Sequence, residues 1–272
     1  TNMWSNNVPG VQAASQASAG GIANLNMVSD GEAQVSIAIS SNVYQCLNGT
    51  DSFKDHPYKD LKVIAGLYMN PNQVVVTAKS GIQTLADVKG KRFAVASAGS
   101  SVYNESNAHF TAAGLKFPDD IQAEYITFTD AADMLQNGSI DGAWIMSGAP
   151  ASAVTQALTG GARLVDIDDQ LVKELKAKYP WYASYTIKAG TYPNQDRDVH
   201  TTAVKMVMFT RGDMPEDVVY NLTKALWEHI DELGQAQKNL KGLKPEDAVK
   251  DIAGVPLHPG AEKYYREIGV LK

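Results

Sequence analysis

Short apolar, β-branched runs alternate with helical patterns along almost the whole chain, and this rhythm predicts an α/β fold with helices packed on a mostly parallel sheet. Two further observations shape the expectation. At 272 residues the chain is long enough for two lobes, since domains usually run to one or two hundred residues. Hydrophobic residues make up 44% and charged residues 20%, which places the chain among globular rather than disordered sequences.

The elements follow in order. Residues 3–8 read as the tail of a helix, as though a preceding strand and most of that helix were absent. Strands are expected at residues 11–16, 35–40, 62–68, 73–77, 92–97, 124–128, 142–146 and 163–165, where apolar and β-branched residues concentrate. Thr84-Leu85-Ala86-Asp87 has the form of a capping pair opening a short helix, and Asp130 with Asp133 does the same ahead of Leu135. Residues 188–200 are polar and hold Gly190, Pro193, Asn194 and Gln195, so they read as a connection, and residues 205–209 as a β-rich run. The clearest helix is residues 214–233: Asp213 caps, Glu216 sits three residues on, and Val218, Val219, Leu222, Leu226, Ile230 and Leu233 recur at helical spacing. That stripe is core. Lobe one is expected from residues 1–90 plus 194–272 and lobe two from 91–193, so two crossings form a hinge.

Charge and cysteine content exclude several classes. With 24 basic against 30 acidic residues the net charge is -6, which argues against a phosphate-backbone partner and hence against nucleic acid. No uncharged apolar run approaches the roughly 20 residues needed to cross a bilayer, so direct membrane insertion is not expected. Cys46 is the only cysteine, which excludes an intramolecular disulfide and a cysteine zinc cluster. No basic n-region or apolar h-region follows Thr1, so no signal peptide is present in the sequence. The sequons at Asn48, Asn104, Asn137 and Asn221 are short enough to arise by chance.

Three turns at the carboxyl ends of expected strands are the candidates for a binding site, because ligands of open α/β sheets sit there. Ala96-Ser97-Ala98-Gly99-Ser100-Ser101 is a small-residue turn before a helix, whose N-terminal N–H groups can hold a carboxylate. An ordinary βα turn with a serine cap has the same pattern. Ser40-Ser41-Asn42-Val43-Tyr44 and Ser147-Gly148-Ala149-Pro150 are the second and third turns, and capping explains each equally well by itself. Tyr68 closes a strand and can supply an aromatic wall, while Trp144, between Ala143 and Ile145, reads as core. Enzyme signatures are missing. The histidines His56, His109, His200, His229 and His258 show no ligand spacing, and no nucleophile elbow, phosphate loop or dinucleotide fingerprint occurs. Asp166-Ile167-Asp168-Asp169 reads as a helix start, not as an acid and base pair. The residues therefore give no catalytic, metal or cofactor site.

Several segments carry a family resemblance. Gly31-Glu32-Ala33 on to Tyr44, with Gly21 and Asn24 before it, Ser80-Gly81-Ile82, Gly90-Lys91-Arg92, residues 141–150 and Lys178-Tyr179-Pro180-Trp181-Tyr182 resemble the TAXI class of TRAP transporter solute receptors. Ala189-Gly190-Thr191-Tyr192-Pro193 and Pro256-Leu257-His258-Pro259-Gly260-Ala261, followed by Tyr264-Tyr265, resemble the same class.

The resemblance implies a type II periplasmic-binding-protein fold, two α/β lobes joined by a hinge. It also implies a periplasmic location with the signal peptide removed, and TRAP membrane subunits as partners. The chain would capture a small organic acid, glutamate-like or another carboxylate or amino acid, between its lobes without catalysis. Matching the family's turns places ligand-binding residues at Ser40, Asn42, Tyr44, Tyr68, Gly99, Ser100, Ser101, Ser147, Gly148 and Ala149.

Two departures matter. Family members usually begin with a strand and a glycine-rich turn that this sequence does not show, and the turns at Ser40 and Gly99 differ from the usual ones. No Lys or Arg lies in any of the three turns, so backbone dipoles and hydroxyls would hold a carboxylate. The alternatives are an enzyme acting on a small molecule on the same fold, or a ligand sensor without transport.

Overall fold

The structure is a computed structural model that describes residues 1–18 and 20–272. The chain divides into two compact units, Thr1–Tyr68 with Lys205–Lys272, and Met69–Val204. In chain order, unit one opens with α1 (Asn2–Asn7), α2 (Gly21–Ser29), β1 (Val35–Ile39) and α3 (Ser40–Asn48), and then β2 (Leu61–Val76) carries the chain into unit two. Unit two continues with β3 (Arg92–Ala94), α4 (Ser101–Ala112), β4 (Gln122–Glu124), α5 (Phe128–Gln136), β5 (Gly142–Met146), α6 (Ser152–Thr159), β6 (Arg163–Val165), α7 (Asp169–Lys178) and β7 (Ala183–Ile187). The chain returns along β8 (Val199–Arg211) to α8 (Glu216–Glu228), α9 (Ile230–Ala236) and α10 (Pro259–Glu267).

In unit one, β1 pairs antiparallel with the far end of β8, from Val35 opposite Thr210 to Ile39 opposite Met206. The core gathers Ile64, Ala65 and Leu67 of β2 with Val219, Leu226 and Trp227 of α8 and Ala261, Tyr264 and Tyr265 of α10. Tyr265 is wholly buried, and its hydroxyl donates to the Ile64 carbonyl (3.0 Å) and accepts from the Trp227 indole (2.9 Å), so the polar tip of the ring is satisfied inside the core.

Unit two is an α/β layer structure. β6, β2, β5, β3 and β4 lie side by side, with β3 parallel to both β5 and β4 and β2 antiparallel to its neighbours. Because successive strand residues point to opposite faces, Val74 and Val76 pack with Phe110 of α4 and Val172 of α7, while Val75 packs with Ala132 of α5 and Val154 of α6. Helices therefore cover both faces of this sheet, which explains why β5, a run of five buried residues, shows no polar alternation.

The α/β class expected from the alternation of patterns is the one observed, although the sheet is mixed rather than mostly parallel, and residues 142–146 and 163–165 form strands at the expected bounds. Several elements differ. Residues 11–16 are not a strand: Val11 is the segment's one β-branched residue, and the segment is largely exposed. The strands expected at 62–68 and 73–77 are one, β2, because the interval between them stays extended and buries Asn70 and Asn72. β3 stops at Ala94, and Ala96 then takes a left-handed φ of 69° that no strand can continue.

Residues 124–128 do not form a strand either. β4 ends at Glu124, and Thr127 caps α5, its hydroxyl accepting from the Asp130 N–H (3.2 Å); Asp130 lies in the first turn and is not the cap. The long helix expected at 214–233 is interrupted at His229, and Asp213 pairs with Arg211 (2.9 Å) instead of capping. Residues 69–90 and 194–204, read from sequence as lobe one, fall in unit two, since the ends of β2 and β8 nearest to them pair with β5, β6 and β7.

Candidate functional site

The ten residues singled out from sequence fall in both units, four in unit one and six in unit two. In unit one, β1 runs without a loop into α3, so Ser40 is the first helical residue and Ile39 the cap position. Ser40, Ser41 and Asn42 are buried, which is unusual for three polar residues at a helix start. The Ser40 hydroxyl accepts from the Lys205 backbone N–H (3.2 Å), and the Asn42 amide donates to the Gln45 side chain (3.2 Å). α2 comes close here. A Cβ on Gly21 would stand 3.2 Å from the Asn42 side-chain oxygen and 3.3 Å from the Ala38 methyl, so a small residue is needed. Tyr44 is half-buried on the next turn, where its carbonyl accepts from Asn48 (2.9 Å).

Tyr68, the last residue of the first segment of unit one, is half-buried against the core, and burial raises its hydroxyl pKa although a hydrogen bond with the Asn239 side chain opposes this. Lys205 supplies the nearest buried cation. Its ammonium is committed: it donates to the carbonyls of Asp247 (2.6 Å) and Lys250 (3.1 Å), and desolvation lowers its pKa.

In unit two, the turn after β3 delivers the start of α4. Ser100 is the cap, its hydroxyl accepting from the Tyr103 N–H (3.1 Å) while its own N–H donates to the Ser97 carbonyl (3.1 Å). Gly99 is exposed, with φ 73°, and nothing lies within 4 Å of where a Cβ would be. The left-handed Ala96 is buried beneath it, a conformation that costs a non-glycine residue roughly 1–2 kcal/mol and that tends to occur at functional turns. Ser101 opens the helix proper.

The other turn of unit two follows β5. Ser147 and Ala149 are half-buried and Gly148 is buried; the Ser147 carbonyl accepts from the Gln73 side-chain amide (3.0 Å). Ala151 donates its N–H to the Tyr192 hydroxyl (3.0 Å), and that hydroxyl donates in turn to Gln73 Oε1.

Neither Gln73 nor Tyr192 was evident as a site residue from sequence. Gln73 offered one signal, a polar residue beginning an otherwise apolar run, and Tyr192 another, its place in the Ala-Gly-Thr-Tyr-Pro segment. Tyr125 was also missed: it follows β4, is 46% exposed, and its ring lies 5.9 Å from that of Tyr103 in the first turn of α4. Trp144, expected in the core, is buried there.

The arrangement offers each turn a helix N-terminus with a partial positive charge, hydroxyls and small residues, and no arginine or lysine. Such a surface can accept an anionic oxygen. Among the described residues no group of three His, Cys, Asp or Glu side chains could hold a metal ion, and no helix is long and apolar enough to cross a membrane. A cavity lined by residues 5–12 lies beside α1 and touches none of the ten.

The architecture is that of an α/β protein with an open mixed sheet covered by helices on both faces. Within that class, the chain belongs to the NMT1-like family, whose profile matches residues 1–269. Among solved structures, a protein of Bordetella bronchiseptica RB50 is similar at 16% identity with a TM-score of 0.53, over 92% of this chain and 85% of that one. The periplasmic aliphatic sulphonate binding protein SsuA of Escherichia coli is 20% identical over 91% of this chain and 70% of its own, with a TM-score of 0.47. The alkanesulfonate-binding protein SsuA of Xanthomonas axonopodis pv. citri, bound to MOPS, is 18% identical over the same shares, with a TM-score of 0.46. At 16% identity the likeness to the Bordetella protein is one of fold.

Proposed function

We propose that the chain is an extracytoplasmic solute receptor of the TAXI kind, which captures a small organic acid and delivers it to TRAP membrane subunits without catalysis. The observation that supports this best is the turn from Ala96 to Ser101, an uncharged, small-residue turn with a strained alanine that opens onto the N-terminus of a twelve-residue helix. Ser40, Asn42, Tyr44 and Tyr68 of unit one and Gly99, Ser100, Ser101, Ser147, Gly148 and Ala149 of unit two are the proposed ligand-binding set. The periplasm is the proposed compartment, in keeping with the family resemblance in the Ala-Gly-Thr-Tyr-Pro and Leu-His-Pro-Gly-Ala segments.

The test is thermal unfolding against a panel of small carboxylates, amino acids and alkanesulfonates. A ligand at a hundred times its dissociation constant adds about 2.7 kcal/mol to native stability, so a true ligand raises the midpoint clearly and does not turn over. No shift with any compound, or consumption of one, overturns the reading. Transport coupling is tested separately, by asking whether TRAP membrane subunits co-purify with the loaded protein.

A further inference from the structure

Two adjacent side chains of β2, Asn72 and Gln73, are each about 1% exposed, and both are polar amides inside a strand whose next three residues are valines. A buried amide is retained only where its donors and acceptors are all met, so the place each one reaches is informative. Because neighbouring strand residues face opposite ways, Asn72 shares the face of Val74 and Val76, under α4 and α7, while Gln73 shares the face of Val75, under α5 and α6.

On the first face, Asn72 donates to the Thr202 hydroxyl (3.0 Å) and accepts from the Trp144 indole (3.0 Å). Thr202 stands 2.7 Å from His109 Nε2, and His109 Nδ1 stands 2.7 Å from the Glu105 carbonyl, within α4 itself. A carbonyl only accepts, so Nδ1 carries the proton and Nε2 accepts from Thr202. The donors and acceptors then run in one consistent order, from Trp144 through Asn72 and Thr202 to the second turn of α4. On the second face, Gln73 donates to the Ser147 carbonyl and accepts from Tyr192, whose hydroxyl takes the Ala151 N–H. Its two contacts bracket the turn after β5. The pair lies four and five residues beyond Tyr68, on the strand by which the chain enters unit two.

We propose that Asn72 and Gln73 are positioning residues for ligand binding: from opposite faces of one strand, Asn72 fixes α4 behind its anion-facing turn and Gln73 fixes the Ser147 to Ala151 turn. This rests on the reading that those turns bind an organic acid. The two turns carry no charged side chain to adapt to a ligand, so their affinity depends on how firmly the backbone is held in place.

The experiment uses the full chain, with Gln73→Met and Asn72→Leu, two apolar replacements of similar size. Backbone amide exchange is followed by NMR. Gln73→Met should speed exchange at Gly148, Ala149 and Ala151 by about tenfold or more and leave residues 105–110 of α4 unchanged, and Asn72→Leu should do the reverse. General destabilisation would move both regions together, so equal changes, or none, overturn the proposal.

With L-glutamate as the probe, each variant should also bind at least about tenfold more weakly than wild type, while Gln73→Glu, which keeps the acceptor for Tyr192, should bind better than Gln73→Met. Wild-type glutamate affinity in both apolar variants overturns the positioning role even if exchange changes. If the wild type answers neither glutamate nor any compound of the panel while the face-specific exchange holds, the binding reading fails and the bracing of the two turns stands.

Discussion

His109 shows how much of this protein's chemistry is invisible at the level of residue type. It is fully buried between the rings of Trp144 (4.8 Å) and Tyr182 (5.0 Å), and the polar groups facing it are the Glu105 carbonyl and the Thr202 hydroxyl; the Tyr182 hydroxyl bonds to the Glu105 side chain nearby. Burial pushes its pKa down to about 4, against the opposing hydrogen bond to the Glu105 carbonyl. The folded state therefore favours neutral imidazole, and the unfolded chain takes up a proton first as pH falls. Stability from this residue is fully present above about pH 6.5 and is lost on the way down to pH 4, by on the order of 3 kcal/mol. Urea midpoints at pH 7, 5.5 and 4.5 test this: His109→Gln should lower stability at pH 7 and flatten its fall across that window, and a slope equal to wild type refutes the assignment.

Ser100 makes a second residue-scale case. Ser100→Tyr should weaken ligand binding at least about a hundredfold by covering the turn, whereas Ser100→Ala should cost about 1 kcal/mol of stability through the lost cap. Unchanged affinity in the tyrosine variant removes this turn from the site.

At the scale of elements, close packing is set by glycines whose neighbours are backbone or ring atoms. A Cβ on Gly260, in the first turn of α10, would sit 2.2 Å from the Glu216 carbonyl oxygen and 2.7 Å from the Tyr220 nitrogen, both in α8. Gly142 at the start of β5 is as tight, with a ring carbon of Phe93 at 2.3 Å. Gly260→Ala must separate two helices, so it should cost about 3 kcal/mol, read from the urea midpoint. Gly99→Ala should cost only about 1 kcal/mol, since its neighbourhood is open and only its left-handed φ resists a side chain. Equal effects at the two positions contradict this account.

For the molecule as a whole, the division of the chain has a consequence for folding. Unit two is one continuous stretch, Met69–Val204, with hydrophobic clusters on both faces of its sheet. Unit one is split: β2 contributes Ile64, Ala65 and Leu67 to a core completed by α8 and α10, more than 150 residues later. Expressed alone, residues 69–204 should give a cooperative thermal transition, and residues 1–68 should give none, because their apolar residues lack the surface they pack on. A cooperative transition in residues 1–68 counts against this division.

The sequence by itself determined the α/β class and several local features, and each of these is a short-range matter. Thr84 and Asp87 form the expected capping box, Asp168 caps α7, and the strands at 142–146 and 163–165 stand where their apolar runs predict, because propensity and capping act within a few residues. The three turns of the candidate site were legible for the same reason, each being a strand end followed by small polar residues. What supports those turns was not. Asn72, Gln73, Thr202 and Tyr192 acquire meaning only from partners 41 to 130 residues away, so only the tertiary structure decided it. Nothing in the spacing of Asn70-Pro71-Asn72 distinguishes a turn from a buried strand. That choice is made by the groups the fold brings to meet Asn72, the Thr202 hydroxyl and the Trp144 indole, since a buried amide is tolerated where its hydrogen bonds find partners.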